Sequence, residues 1–205
     1  MQARHGARPG ETLWLKLRSA RGTAALLELA RASGLRRWVA GLAPDSSSHE
    51  IESKLRSRLR EAIAEVAAWV PAPWRAAVLH TQALVDLPAA LHLARGEPPH
   101  AWMEEIAPAA GRSAEDAFLA WQARWRSLWP QEAAAFPAVE ALARLAQAHR
   151  SSNARLDPGL AVLFRRHAGE PAAAFAFLLL AAVELGRLRA ALLRQALLAP
   201  ARLAA

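Results

Sequence analysis

Apolar residues recur every three or four positions along most of the chain, a spacing typical of amphipathic α-helices. The clearest example is segment 49–70. Its apolar face consists of Ile51, Leu55, Leu59, Ile63, Val66 and Val70. Ser47 and Glu50 have the spacing of a capping box, so we expect this helix to begin near His49. Pro71 then ends the helix, because proline has no N–H to continue the hydrogen-bond ladder.

A second long segment differs, because it is apolar on every side before it becomes amphipathic. Residues 172–183 form a run of twelve consecutive apolar residues, and the carboxylate of Glu184 follows. Arg187 and Arg189 come next, among leucines. A membrane-spanning helix needs about 20 apolar residues, so this run is too short. The pattern predicts instead a long buried helix that begins at Pro171.

Prolines, glycines and capping residues divide the rest of the chain into further predicted helices. These helices cover 11–20, 23–33, 73–95, 100–106, 114–129, 137–149 and 158–167. We expect Thr23 to cap the second helix and Gly34 to end it, and we expect a kink or restart near Pro88. Tyrosine is absent and β-branched residues are sparse, which argues against a large sheet. The sequence predicts an all-α fold, a multi-helix bundle of about eight to ten helices.

The length of 205 residues suits one domain or two small packed halves. Segment 109–113, with the sequence AAGRS, is the most plausible boundary. We therefore predict an N-terminal helical half over 1–108 and a C-terminal helical half over 109–205, which ends in the long buried helix.

The formal net charge of +8 raises the question of a nucleic-acid partner. Residues 1–100 carry 14 basic and nine acidic residues, and residues 101–205 carry twelve and nine, so the charge is spread evenly along the sequence. Without a basic tail or a recognised motif, nucleic-acid binding stays an alternative function. It predicts one face that gathers Arg56, Arg58, Arg60, Arg124, Arg126, Arg165 and Arg166. An acidic protein or an anionic membrane surface would suit the same charge.

The sequence contains no recognisable catalytic or metal-binding motif. It has no cysteine, no phosphate-binding glycine loop, no Gly-x-Ser-x-Gly elbow and no His-Glu-x-x-His pattern. Two pairs of adjacent acids, Glu104–Glu105 and Glu115–Asp116, suit the first turn of a helix better than a metal site. We expect a protein that is not an enzyme and has no cofactor, metal or small-molecule substrate. Residues 1–11 lack the apolar segment of a secretory signal, so we expect a cytoplasmic protein.

One aromatic pattern has two interpretations. Phe118, Trp121, Trp125 and Leu128 recur with helical spacing, and Trp129 adjoins them. The first interpretation is a core stripe. The second is an exposed docking ridge of Trp121, Trp125 and Trp129, because tryptophan is enriched at binding hot spots. A ridge of this kind would suit a helical adaptor protein.

Two segments share a pattern that indicates two helical repeats. Residues 85–87 and 183–185 each read valine, carboxylate, leucine, and each precedes a helical stretch with basic residues. A carboxylate in an apolar helix needs a partner, because burying it alone is costly. We expect Glu184 to pair with Arg187 and Asp86 to meet an arginine from a neighbouring helix. Such pairs would fix the register of helix packing.

These segments resemble the connector subunits of V-type ATPases, a family with members in prokaryotes and in eukaryotes. The family has helical repeats in which a carboxylate precedes Asn-Leu and a basic residue. Segment 86–96, DLPAALHLARG, is similar in its carboxylate Asp86 and its closing Arg95-Gly96. The second copy has Glu184, Leu188 and Arg189 at the matching positions, and segment 18–30 is similar to the family's opening helix.

The chain also departs from the family pattern. The family's asparagine is Ala89 in one copy and Arg187 in the other, so a hydrogen bond from that amide is missing. Members usually have three repeats, and this chain has room for about two. The resemblance therefore describes either a shortened bacterial homologue of the family or a diverged relative with another function.

The resemblance implies a non-catalytic structural subunit of a rotary ATPase. Such a subunit links the central stalk to the membrane rotor ring and couples ATP hydrolysis to ion transport. Its partners would be those ATPase subunits. The protein would lie in the cytoplasm at the inner face of the cell membrane, held there through the complex.

Overall fold

The computed structural model describes residues 8–103, 106–108, 113–131, 137–151 and 158–198. The regular elements in these ranges are helices, and no strand occurs among them, so the all-α prediction is confirmed. The α-helices are α1 Glu11–Ser19, α2 Thr23–Arg31, α3 Ser48–Trp69, α4 Arg75–His80, α5 Gln82–Ala94, α6 Ala114–Ser127, α7 Pro137–Ser151, α8 Pro158–Arg166 and α9 Pro171–Leu198. Short 3-10 helices cover Ala72–Trp74 and Ala101–Met103.

Two of the predicted helix starts have the expected capping hydrogen bonds. The backbone N–H of Ser47 donates to Glu50 Oε2 at 2.7 Å, and the N–H of Glu50 donates to Ser47 Oγ at 3.2 Å. This is the reciprocal bonding of a capping box, which satisfies two N–H groups that the helix itself leaves unbonded. At the start of α6, Ser113 Oγ accepts from the N–H of Asp116 at 3.0 Å. Both cap predictions are confirmed.

The predicted ends of α2 are wrong in detail. Thr23 is the first helical residue, and the cap position belongs to Gly22, whose φ is +87°. Gly34 is not among the glycines with positive φ, because the chain continues after α2 in a series of turns. The Ser33 hydroxyl stabilises the first of these turns, since it donates to Ala30 O at 2.8 Å and accepts from the N–H of Leu35 at 3.2 Å.

The predicted helix over 73–95 is divided at Thr81 rather than at Pro88. The Thr81 hydroxyl donates to the carbonyl of Val78 at 2.6 Å, and α5 begins at the next residue. Pro88 lies inside α5, which continues past it to Ala94. Gly96 then adopts a φ of +77° and ends the helix as expected.

The chain forms two compact units. Unit 1 combines residues 1–58 with 182–205, and unit 2 is the continuous segment 59–181. Helices α3 and α9 each contribute residues to both units. The two halves predicted from the sequence, 1–108 and 109–205, have other boundaries than these two units and stay a prediction. Residues 109–112 of the expected boundary lie outside the described residues.

Each unit has its own buried apolar side chains. Those of unit 1 include Trp14, Leu17, Leu26, Leu27, Leu35, Trp38, Ile51, Leu55, Leu188 and Leu192. Those of unit 2 include Val66, Trp74, Val78, Phe118, Trp125, Val139, Phe164, Phe175 and Leu180. The predicted apolar face of α3 is buried except at Leu59, which is half-buried. Across the described residues, no helix has both the length and the apolar character needed to cross a membrane.

Candidate functional site

The carboxylate of Asp86 in α5 forms an ion pair with an arginine from another helix of unit 2. Nη2 of Arg60, in α3, donates to Asp86 Oδ1 at 2.6 Å. Gln82 strengthens the same junction, because its side-chain amide donates to the carbonyl of Arg60 at 3.3 Å. The expectation that Asp86 meets an arginine from a neighbouring helix is confirmed.

The carboxylate of Glu184 in α9 is buried in unit 1, where only 6% of the residue is exposed. Its Oε1 atom lies 3.9 Å from Nε of Arg8, and the indole N–H of Trp38 donates to the carboxylate. Burial raises the pKa of Glu184 above its usual range, and Arg8, Trp38, Arg37 and Arg187 oppose this effect in part. Glu184 therefore keeps its proton at a higher pH than an exposed glutamate does.

Arg187, the expected partner of Glu184, binds Glu11 of α1 instead. Its Nη2 donates to Oε1 and Oε2 of Glu11 at 3.1 and 2.9 Å. Its guanidinium carbon lies 4.4 Å from the centre of a Trp14 ring, in cation–π contact. The hydrogen bond from Arg187 is the main reason why the pKa of Glu11 is lowered. The expected Glu184–Arg187 pair is therefore replaced by Glu11–Arg187, and Arg8 faces Glu184.

The remaining motif residues of α9 have structural roles in unit 1. Leu188 is fully buried. Nε of Arg189 donates to Oε2 of Glu52 in α3 at 2.5 Å, and Arg56 contacts the other oxygen of Glu52 at 3.0 Å. Helix α9 is thus bound to α1 through Arg187 and to α3 through Arg189.

The residues of the first motif lie together on and just after α5 in unit 2. Asp86 is within the helix, Arg95 is its C-cap residue and Gly96 follows. Arg95 and Gly96 are exposed at the helix end. The two motif carboxylates have different surroundings, since Asp86 forms a close, partly exposed ion pair and Glu184 is buried. The two-repeat interpretation stays a prediction.

The tryptophans of α6 are part of the core of unit 2. Trp121 and Trp125 are 8% and 2% exposed, and their ring centres are 5.3 Å apart. Phe175 of α9 packs edge-on against Trp125 at 5.1 Å, and Trp129 is half-buried. The core interpretation therefore fits this stripe. A free docking ridge does not fit, because other side chains of the unit cover Trp121 and Trp125.

His80 is a half-buried titratable group whose contact with Trp121 the sequence pattern does not reveal. Its ring stacks on Trp121 with the centres 5.8 Å apart and the planes 4° apart. The Trp121 indole N–H also donates to the carbonyl of His80 at 3.2 Å. Burial is the main cause that lowers the pKa of His80, and the charge of Arg124 adds to it. No sequence spacing relates His80 to Trp121, which lie 41 residues apart.

No group of three or more His, Asp or Glu side chains in the described ranges is arranged to hold a metal ion. Asp116 forms hydrogen bonds with its cap residue Ser113, as expected for an acid in the first turn of a helix. The other predicted acidic pair, Glu104 and Glu105, lies outside the described residues.

Three of the seven arginines that would form a nucleic-acid face lie against acidic residues. Arg56 pairs with Glu52, Arg60 pairs with Asp86, and Arg126 lies 3.9 Å from Glu140. Arginines held by carboxylates are poorly suited to neutralising a phosphate backbone. This arrangement gives the nucleic-acid alternative no support at these three arginines.

Comparison with known proteins identifies no relative: no protein family, no curated protein and no solved structure matches the chain.

Proposed function

We propose that this protein is a non-catalytic structural subunit of a V-type rotary ATPase, shortened and diverged from the connector subunits. In this role it links the central stalk to the membrane rotor ring and couples ATP hydrolysis to ion transport. It lies in the cytoplasm at the inner face of the cell membrane, held there by its partner subunits. It performs no chemistry of its own.

The observation that carries this proposal is the anchoring of the two motif helices by ion pairs. In unit 2, Asp86 fixes α5 to Arg60 of α3. In unit 1, Arg187 and Arg189 fix α9 to α1 and α3. A part that transmits torque has to keep its helices in register under load. Paired charges that join separate helices suit that task, because sliding one helix past another separates the charges.

The direct test is purification of the tagged chain from membranes of its native cells. After mild solubilisation, the tagged protein should bring down the catalytic, stalk and rotor-ring subunits of a rotary ATPase in fixed ratio. The matched control is the same tag on an unrelated cytoplasmic protein. Recovery of the chain without any ATPase subunit would contradict the proposal.

A second test separates coupling from catalysis. In cells that lack the protein, membranes should still hydrolyse ATP but should lose ATP-driven ion transport. The wild-type gene should restore transport, and Asp86→Ala combined with Arg189→Ala should restore it less well, because both helix anchors are weakened. Glu115→Ala combined with Arg165→Ala removes the same charges at exposed positions and should restore transport fully. Normal transport in the deletion strain would rule out the coupling role.

A further inference from the structure

The fold concentrates the positive charge that is evenly spread along the sequence. The described residues of unit 1 carry 13 basic and six acidic residues, a formal charge of +7. Those of unit 2 carry nine basic and eight acidic residues, a formal charge of +1. The difference arises because residues 8–58 and 182–198, which are far apart in the sequence, belong to the same unit.

Within unit 1, exposed cations gather around the turn between α1 and α2. Gln195 of α9 fixes this turn, because its side chain donates to the carbonyl of Ala20 at 2.9 Å and accepts from the N–H of Gly22 at 3.2 Å. Arg194 precedes Gln195 in α9, Arg21 lies between the two bonded residues of the turn, and both arginines are exposed. Lys16 and Arg18, also exposed, lie in the last turn of α1, next to the same turn. We call Lys16, Arg18, Arg21 and Arg194 the basic end of unit 1.

Local acids neutralise little of this charge. Glu11 is the carboxylate that Arg18 contacts, at 2.9 Å, and it also binds Arg187. One carboxylate therefore serves two guanidinium groups, and the three groups together keep a net positive charge. The next acid along the chain, Glu28, lies a turn and a half into α2.

The basic end also carries exposed apolar side chains. Leu15 in α1 is 56% exposed, and Leu197 near the end of α9 is 72% exposed. These are the large apolar residues of unit 1 that the described structure leaves most open to water. Leucines beside arginines and lysines are the combination with which proteins bind the interface of an anionic bilayer. The leucines enter the boundary region and the cations attract the headgroup phosphates.

We propose that the basic end of unit 1 binds an anionic lipid surface directly. Arg21, Arg194, Lys16 and Arg18 contact headgroup phosphates, and Leu15 and Leu197 enter the region between headgroups and acyl chains. This goes beyond the proposed ATPase role, in which other subunits hold the protein at the membrane, and it does not depend on that role. The exposed leucines favour lipid over nucleic acid, because a phosphate backbone has no apolar region that could bury them.

The test is sedimentation of the purified full-length chain with vesicles. Vesicles of phosphatidylcholine alone are compared with vesicles in which about a third of the lipid is phosphatidylglycerol, a composition that gives a strongly negative surface. We expect binding to the anionic vesicles only, and we expect it to weaken as NaCl rises from about 0.1 to about 0.5 M, because salt screens charges at the surface. Equal binding to both kinds of vesicle would overturn the proposal.

Matched variants locate the surface. Arg21→Gln with Arg194→Gln removes two cations from the basic end and should lower the partition coefficient roughly 25-fold, at about fivefold for each charge near the bilayer. Arg165→Gln with Arg166→Gln removes two exposed cations from α8 of unit 2 and should leave binding unchanged. Both double variants have the same net charge. An equal loss in the two variants would mean that overall charge, and not this surface, drives binding.

A second pair of variants tests the apolar part of the surface. Leu15→Ser with Leu197→Ser should weaken vesicle binding, whereas Val162→Ser, at an exposed position of unit 2, should not. Circular dichroism checks that each variant is folded. A DNA duplex of about 30 base pairs is included as a competing polyanion. If the duplex binds more tightly than the anionic vesicles, or if the leucine variants bind vesicles as well as wild type does, the lipid proposal is wrong.

Discussion

Arg60 and Asp86 lie 26 residues apart in the sequence, and a 2.6 Å ion pair joins them across α3 and α5. Their side chains are 41% and 22% exposed, so water screens the pair in part. The interaction is therefore expected to be modest in free energy, although it fixes how two helices of unit 2 meet. This combination makes the pair suitable for a quantitative test.

A double-mutant cycle of Arg60→Gln and Asp86→Asn should give a coupling free energy of about 0.5–1 kcal/mol in denaturant unfolding, in the upper part of the range for exposed pairs. The matched control is the pair Arg144 and Glu140 within α7, which is 3.3 Å apart and more exposed. That pair should couple by about 0.3 kcal/mol. If the control pair couples as strongly as Arg60 and Asp86, the ion pair does not hold α3 and α5 together.

Replacing Glu184 by glutamine should change how stability depends on pH. Because burial raises the pKa of Glu184, the folded state binds a proton that the unfolded state has released. The wild-type protein therefore loses stability as pH rises from the ordinary glutamate range through the raised value. Glu184→Gln lacks this loss, so its free energy of unfolding relative to wild type should increase as the pH rises above the ordinary glutamate range.

Denaturant unfolding at several pH values measures this difference. Glu28→Gln is the control, because it removes a carboxylate from an exposed position of the same unit. A pH dependence that this control shares with Glu184→Gln does not come from burial of the carboxylate. If the stability of Glu184→Gln follows that of the wild type in parallel at all pH values, the Glu184 carboxyl titrates as it does in the unfolded chain.

Trp125→Ala should destabilise the protein by about 3–5 kcal/mol, because it leaves a large cavity in the core of unit 2. Trp125 contacts Trp121, Trp129 and Phe175, and it is 2% exposed. Denaturant unfolding gives the loss, and near-ultraviolet circular dichroism should lose aromatic signal. Leu119→Ala, at an exposed position of the same helix, should cost less than about 1 kcal/mol. A small effect of Trp125→Ala would contradict the observed burial.

Two glycine-to-alanine substitutions should change stability in opposite directions. Gly96 has a φ of +77° and open space around it, so Gly96→Ala should cost about 1–2 kcal/mol through backbone strain alone. Gly186 lies within α9, also with open space around it, and Gly186→Ala should stabilise by about 0.5–1 kcal/mol. Thermal unfolding of both variants measures the effects. A stabilising Gly96→Ala would show that the end of α5 is not left-handed in solution.

The sequence predicted the features that depend on near neighbours. Ser47 with Glu50 and Ser113 with Asp116 are three residues apart, so the helix starts could be recognised from spacing alone. The apolar run over 172–183 predicted the buried part of α9 for the same reason. The prediction that Gly34 ends α2 was wrong, because the hydroxyl of Ser33 stabilises a turn that the position of a glycine does not reveal.

Features that depend on distant contacts could not be predicted. Arg187 is three residues from Glu184, but it turns to Glu11, at a separation of 176 residues, where a second acceptor oxygen and the Trp14 ring are available. The stacking of His80 on Trp121 likewise joins separate helices. The high positive charge of unit 1 could not be predicted either, because its two segments lie in different halves of the sequence.

Unit 1 consists of two separate segments of the chain, and this also determines when it can fold. Residues 59–181 form unit 2 and are synthesised before Arg187. Glu11 and Trp14 therefore cannot contact Arg187 until that whole segment has been translated. At about 5–20 residues per second, this interval is on the order of ten seconds. During that time the nascent helices α1 and α2 have apolar surface without its final cover. On the ribosome, the middle of the polypeptide is therefore able to reach its native state before the beginning does.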